Sequence, residues 1–293
     1  MNEKCTKLMR SVVVIYKVFL NFSTNFKANV IGTENVMLLA NKMKSLECYV
    51  HVSTAYCNCQ HEVIQEALEP LIEDASSLLD KFKSLSGDQL EIEALKYFDG
   101  RPNNYVFTKA IAEHVVNLYR GNIPTVIARP AIVSPAYSEP ADGFVDNLDG
   151  PLALSLVFGL GILQIIDWDF DHHVEFTPVD TLANSLPREM KIYNVTVSTL
   201  NQIPENYDLL KRGLGIYLKA PSIMMLRPPI LPPLKSNVSP FEYKIKRFYY
   251  HTMFAYFIDL LLFVCGQKRI ECNLLLFVTQ IVVLQKQNEP NRG

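Results

Sequence analysis

Short β-branched runs alternate with longer helix-compatible stretches over the first two hundred residues, and this alternation restricts the fold more than any other feature. Ser11 to Phe19 reads as a strand, and Lys27 to Lys44 as a helix with Val30, Val36, Leu38, Leu39 and Met43 as its apolar stripe. Cys48 to Ser53 (CYVHVS) is a second, short strand. His61 to Gly100 is acidic and helix-rich, and Tyr105 to Tyr119 is a helix. Pro124 to Val133, Val174 to Val179 and Ile192 to Val197 complete the series of strands. Strands separated by helices pair in parallel, so the expected class is α/β with a doubly wound, Rossmann-type parallel sheet. Ligands of such sheets bind beyond the carboxyl ends of the strands. Thr54 and the residues after Arg129-Pro130 fall at those ends.

The pattern breaks near residue 200. Residues 1–200 are expected to form the α/β domain, 201–240 a linker containing the Pro-rich Arg227 to Pro233 (RPPILPP), and 241–293 a smaller helical segment. Phe248 to Val264 is apolar but interrupted by His251 and Asp259, and Asn273 to Leu284 is shorter than the ~20 helical residues that span a bilayer. So much apolar surface at one end favours membrane association over a buried lobe. With 49% hydrophobic residues, 20% charged and a net charge of −2, nothing argues for a nucleic-acid partner. Lys17 interrupts the N-terminal apolar run, which speaks against a signal peptide. The six cysteines (Cys5, Cys48, Cys57, Cys59, Cys265, Cys272) lack zinc-site spacing and are expected to be free thiols.

Tyr105 and Lys109 carry the chemistry. On a helix, residues four apart share a face, so the ammonium lies one turn from the phenol. A cation there lowers the phenol's pKa and makes it a usable proton donor near neutral pH. The spacing alone is weak, because Tyr207 and Lys211 repeat it without context. Tyr105 has company. A strand ends upstream in Val52-Ser53-Thr54-Ala55-Tyr56, and another downstream in Ala128-Arg129-Pro130-Ala131-Ile132-Val133. Asn29-Val30-Ile31-Gly32-Thr33 opens the earlier helix, where an Asn side chain can line a cofactor groove.

The stretches NVIGTENVMLLANKMKSLECYVHVSTAYCN, PNNYVFTKAIAEHV and PTVIARPAIVSPAYSEPADGFVDNLDGP resemble the fatty acyl-CoA reductases, alcohol-forming members of the extended short-chain dehydrogenases. VEFTPVDTLAN, IYNVTVST and HTMFAYFIDLLLFVCGQK extend the likeness over most of Asn21 to Lys268. The resemblance implies reduction of a long-chain fatty acyl-CoA by NADPH, through a hemithioacetal and an aldehyde, to a primary alcohol. By position, Tyr105 would protonate the developing oxyanion, and Lys109 would hold the nicotinamide ribose. Thr54, or less suitably Ser53, would hydrogen-bond the substrate oxygen. Asn29, Ser53, Pro130 and Ile132 would line the cofactor with Tyr105 and Lys109. The resemblance also implies attachment to a peroxisomal or endoplasmic reticulum membrane.

The sequence departs from the family in one decisive place. No Thr-Gly-x-x-Gly-x-x-Gly turn occurs; no glycine precedes Gly32, and the pairs Gly159/Gly161 and Gly213/Gly215 come too late. The chain reads as starting near the family's fourth strand, an N-terminally truncated member lacking the first strands of the sheet. The connection SLPREMK is shorter than the family's helix there, and Phe254 replaces a usual proline. The expectations are therefore an acyl-CoA reductase, or a non-catalytic remnant of one that cannot hold NADPH. A sugar-nucleotide epimerase or dehydratase is the third reading, disfavoured by the C-terminal segment.

Overall fold

A computed structural model describes residues 21–146, 151–164, 175–184, 191–196 and 239–264, with scattered positions between 212 and 228. The strand expected at Ser11 to Phe19, the Tyr207/Lys211 pair, Cys5, Cys265, Cys272 and the run Asn273 to Leu284 lie outside the described residues. The chain divides into two compact units, Met1–Asn147 with Glu175–Leu200, and Leu148–Val174 with Asn201–Gly293.

The first unit begins with a continuous helical run: α1 (Phe22–Asn25), a π-helical turn (Phe26–Ile31) and α2 (Gly32–Ala40). Asn21 caps it by accepting the Thr24 amide, and Glu91 accepts the Phe22 and Ser23 amides at 2.7 and 2.8 Å. The run starts five residues before the expected helix, and its buried face is Phe22, Phe26, Val30, Thr33, Met37 and Ala40. Leu38, Leu39 and Met43, assigned to the apolar stripe from sequence, are exposed. The π turn inserts extra backbone into the helical repeat, so the buried residues fall out of the phase read from position 27.

Next come β1 (Tyr49–Val52), α3 (Ala75–Ser84), α4 (Gly87–Leu95), α5 (Asn104–Tyr119) and β2 (Thr125–Pro130). Helix α3 starts where Asp74 accepts the Ser76 amide at 2.9 Å, so residues 61–74 form a loop although the sequence reads as helix-rich from His61. Helix α5 starts where Asn103 accepts the Val106 amide at 2.9 Å. The expected strand from Pro124 to Val133 is two strands. β2 ends at Pro130, and β3 (Ile132–Ser134) pairs elsewhere. Pro130 has no N–H for a ladder, and Ala131 instead donates to Val195 O at 3.3 Å.

β4 (Phe176–Pro178), following α6 (Pro151–Gly159), pairs parallel with β3; then come α7 (Val179–Asn184) and β5 (Ile192–Val195). The main sheet has the order β1-β2-β5 and is parallel throughout, as the alternation of strands and helices requires. β1 and β2 are buried along their whole length. One face of α5 packs Phe107, Ile111 and Val115 against Phe22, Phe26 and Phe82. Phe82 meets Phe22 edge-on with centroids 5.2 Å apart, while Phe22 stacks on Phe26 and Phe107. Tyr49, Ile127, Met37 and Val116 form a second cluster. Cys48, Cys57 and Cys59 are free thiols.

In the second unit, α8 (Pro240–Arg247), a π turn (Phe248–Thr252) and α9 (Met253–Val264) form one helical run. Arg227 stacks its guanidinium 4.0 Å from the Phe254 ring centroid and donates to Gly161 O and Ile162 O. The start of the Pro-rich stretch is thus anchored by a specific side chain. Gly161 is required there, because its φ is +71° and a Cβ would lie 1.8 Å from Arg227 O. Buried His251 accepts the Gln164 amide at Nε2 (3.0 Å), and burial, then the charges of Arg227 and Arg247, lower its pKa to about 4. Among the described residues, no helix is long and apolar enough to cross a membrane.

Candidate active site

β1 and β2 run in register, Val52 opposite Ala128, so their carboxyl ends bring Ser53-Thr54 alongside Pro130. The Ala55 amide donates to Pro130 O at 2.8 Å and closes this end of the sheet. Tyr105 and Lys109 of α5 are both buried, at 4% and 2% exposure. Lys109 Nζ donates to Val52 O at 3.0 Å, which seats the ammonium beside Ser53 and Thr54. Of the sequence-nominated residues, the structure therefore groups Ser53, Thr54, Lys109 and Pro130 directly, with Tyr105 one turn along the same helix face.

The others are placed differently. Asn29 does not open a helix; it lies within the π turn, where the widened backbone carries its side chain to α5. Its Nδ2 donates to Thr108 Oγ1 at 3.0 Å, so it braces the turn between Tyr105 and Lys109. Thr54 is 2% exposed, and its Oγ1 accepts the Tyr56 amide at 3.3 Å, an ST-turn that leaves the hydroxyl proton for another acceptor. Ser53 is also buried, and its side chain lies beside Cys57. Ile132 is half-buried in β3, its amide donating to Glu175 O.

A buried charge network extends below the pair. Glu113, one turn beyond Lys109, receives Arg129 as a fork, Nε to Oε1 at 2.8 Å and Nη2 to Oε2 at 2.7 Å. Cys57 Sγ donates to Glu113 Oε1 at 3.4 Å. Burial lowers the Lys109 pKa to about 8, opposed by the negative charge of Glu113 and by Cys57. The same burial, with Lys109 as neighbour, lowers His51 to about 3 and keeps its imidazole neutral. Burial and then Glu113 push the Cys57 thiol up, so it is not a nucleophile. Sequence reading passed over Glu113. The available signal was a carboxylate at the eighth position after Tyr105, on an apolar helix face, where it demands a buried partner.

The loop after β3 is fixed by a single carboxylate. Asp180, at the start of α7, accepts the amides of Tyr137 (2.9 Å), Ser138 (2.9 Å), Glu139 (3.1 Å) and Thr181 (3.0 Å). Burial alone would raise this carboxyl, but the four N–H donors hold it far below the carboxylate range.

The male sterility protein family model matches residues 13–186, more than half of the chain. The chain belongs to the fatty acyl-CoA reductase family. Fatty acyl-CoA reductase 1 of Rattus norvegicus is 31% identical over 260 residues, 85% of this chain and 50% of the relative. The human fatty acyl-CoA reductase 1 is 34% identical over 192 residues, 62% of this chain and 37% of its own. Fatty acyl-CoA reductase wat of Drosophila melanogaster is 31% identical over 254 residues, 82% of this chain and 48% of its own. The chain thus spans about half the length, or less, of these relatives. Every nominated site residue, from Asn29 to Ile132, falls inside the family match, as do Glu113 and Arg129.

A nicotinamide cofactor fits this site in part. Val52 O takes one of the three donors of the Lys109 ammonium, and no other hydrogen-bond partner lies on it among the described residues. Two buried donors at a strand end suit a ribose diol. For the pyrophosphate, the sequence offers no glycine-rich turn at a helix N-terminus.

Proposed function

We propose that this chain carries the proton-donating side of a fatty acyl-CoA reductase site, acting on a long-chain acyl-CoA with NADPH and yielding a primary alcohol. The observation that carries the reading is the buried Tyr105–Lys109 pair on one helix face, with Lys109 bonded to the carboxyl end of β1. When bound, the nicotinamide supplies hydride. Tyr105 gives its phenolic proton to the oxygen that gains charge as the carbonyl is reduced. Lys109 stays charged below about pH 8, lies one helical turn from the phenol and would hold the ribose hydroxyls. Thr54 donates its free hydroxyl proton to the same substrate oxygen. Pro130 and Ile132 would line the nicotinamide.

The missing glycines set the first test. Most pyrophosphate recognition in such folds comes from amides at a glycine-rich helix N-terminus. Titration of the purified chain with NADPH, followed by nucleotide fluorescence, is expected to give weak binding, with Kd above ~100 μM. Micromolar affinity would overturn that expectation. The non-catalytic alternative predicts in addition that acyl-CoA causes no NADPH oxidation even at saturating nucleotide.

The same reading includes association with a membrane surface through the second unit. What supports it is the helical run from α8 to α9, which exposes Phe241, Ile245, Phe248, Met253, Phe257 and Leu260, with Lys244, Lys246 and Arg247 alongside. An apolar face flanked by basic residues suits an anionic lipid interface. Flotation with vesicles of mixed phosphatidylcholine and phosphatidylserine is expected to carry the chain upward at low salt. A chain that stays with the soluble fraction at every salt concentration would remove this part of the proposal.

A further inference from the structure

We propose that the buried Glu113–Arg129 pair is the positioning device of the site: Arg129 fixes the loop that follows Thr54, and Glu113 sets the charge felt by Lys109. The inference rests on the proposed reductase chemistry for its consequence, not for its geometry. Arg129 is fully buried and uses every face of its guanidinium. Beyond the fork to Glu113, Nη1 donates to Gln65 O at 2.7 Å and Nη2 to Ala67 O at 2.8 Å. One side chain at the end of β2 thus ties α5 to the loop of residues 55–71.

The remaining anchors of that loop show that its path is built rather than incidental. Arg101 Nε donates to Cys57 O and its Nη2 to Asn58 Oδ1, both at 3.0 Å. His114 Nε2 meets Glu69 O at 2.8 Å, and Asn194 Nδ2 donates to Ile64 O at 2.9 Å. Helix α5 contributes His114 and, through Glu113, Arg129. The helix that carries Tyr105 and the strand end that carries Thr54 are thereby held in one frame.

Electrostatics add a second role. Among the described residues, the charged or titratable groups around Lys109 are His51 from β1, Cys57 from the loop, Tyr105 and Glu113 from its own helix, and Arg129 from β2 behind Glu113. His51 and Cys57 are neutral, so Glu113 is the only anion of the set, and Arg129 is its counter-ion. Removing the carboxylate while leaving the guanidinium would leave Lys109 facing an uncompensated cation.

The test uses the full chain and the variants E113Q, R129K and E113Q/R129M. Lys109 is followed by carbon-13 NMR of its ε-methylene, assigned with K109R, and residues 60–70 by hydrogen exchange. In E113Q, Lys109 is expected to titrate on the order of one pH unit lower than in the wild type, and the alkaline limb of the reduction rate to move with it. The double variant, which removes both charges, is expected to restore the limb. R129K keeps the cation, so its limb should stay while exchange across 60–70 rises ~10-fold or more. If E113Q does not fold, E113D withdraws the charge by one methylene and is expected to shift Lys109 less, in the same direction. Unchanged Lys109 titration in the folded Glu113 variant, or unchanged exchange in R129K, overturns the proposal. A merely structural role would lower rates at all pH values without moving the limb. A wild-type chain with no acyl-CoA-dependent oxidation defeats the reductase reading, while the NMR and exchange measurements still decide the pair.

Discussion

Tyr105→Phe is expected to lower acyl-CoA-dependent NADPH oxidation by ~10²–10⁴-fold, the usual contribution of a positioned general acid. In the proposed set Tyr105 transfers its proton to the substrate oxygen, whereas Thr54 only donates a hydrogen bond to it. Phenylalanine keeps the ring volume within a buried site, so the far-UV circular dichroism and melting temperature should stay within the wild-type range. Tyr207→Phe, at the decoy spacing, is the control and should leave the rate unchanged. Equal losses in the two variants would mean that the spacing, not the site, had been read. Single-turnover rates at saturating nucleotide are the appropriate measurement, because they separate the chemical step from cofactor binding.

The largest effect on stability is expected from Arg129→Met. The substitution leaves Glu113 buried without its cation, and breaking such a pair on one side costs ~3–5 kcal/mol. It also strips the Gln65 and Ala67 carbonyls of their donor. Urea unfolding followed by circular dichroism should show an earlier transition for the single variant. E113L/R129M, which replaces the pair by apolar side chains, should recover most of the loss, since burying two charges is itself costly. A single variant as stable as the double would show that solvent reaches Glu113 and that the pair is not buried in solution. The buried pair is then best understood as fixing geometry rather than adding net stability.

The parallel α/β class and the helix bearing Tyr105 and Lys109 were legible because both depend on local periodicity. A helix fixes which residues share a face, and β-branched runs between helices leave few ways to pair. The same local rule failed at Leu38, Leu39 and Met43, because a π turn shifts the helical phase. It failed again at Pro130, where one apparent strand divides between two sheets.

By itself, then, the sequence determined the class of the fold, the family, and the nomination of Thr54, Tyr105 and Lys109. The tertiary structure alone decided that Asn29 braces Thr108 and that Glu113 and Arg129 meet beneath the pair. The Asn29–Thr108 and Glu113–Arg129 contacts join residues 79 and 16 positions apart. No periodicity encodes them; they exist because the folded chain buries charged and polar groups that must find partners wherever the packing puts them.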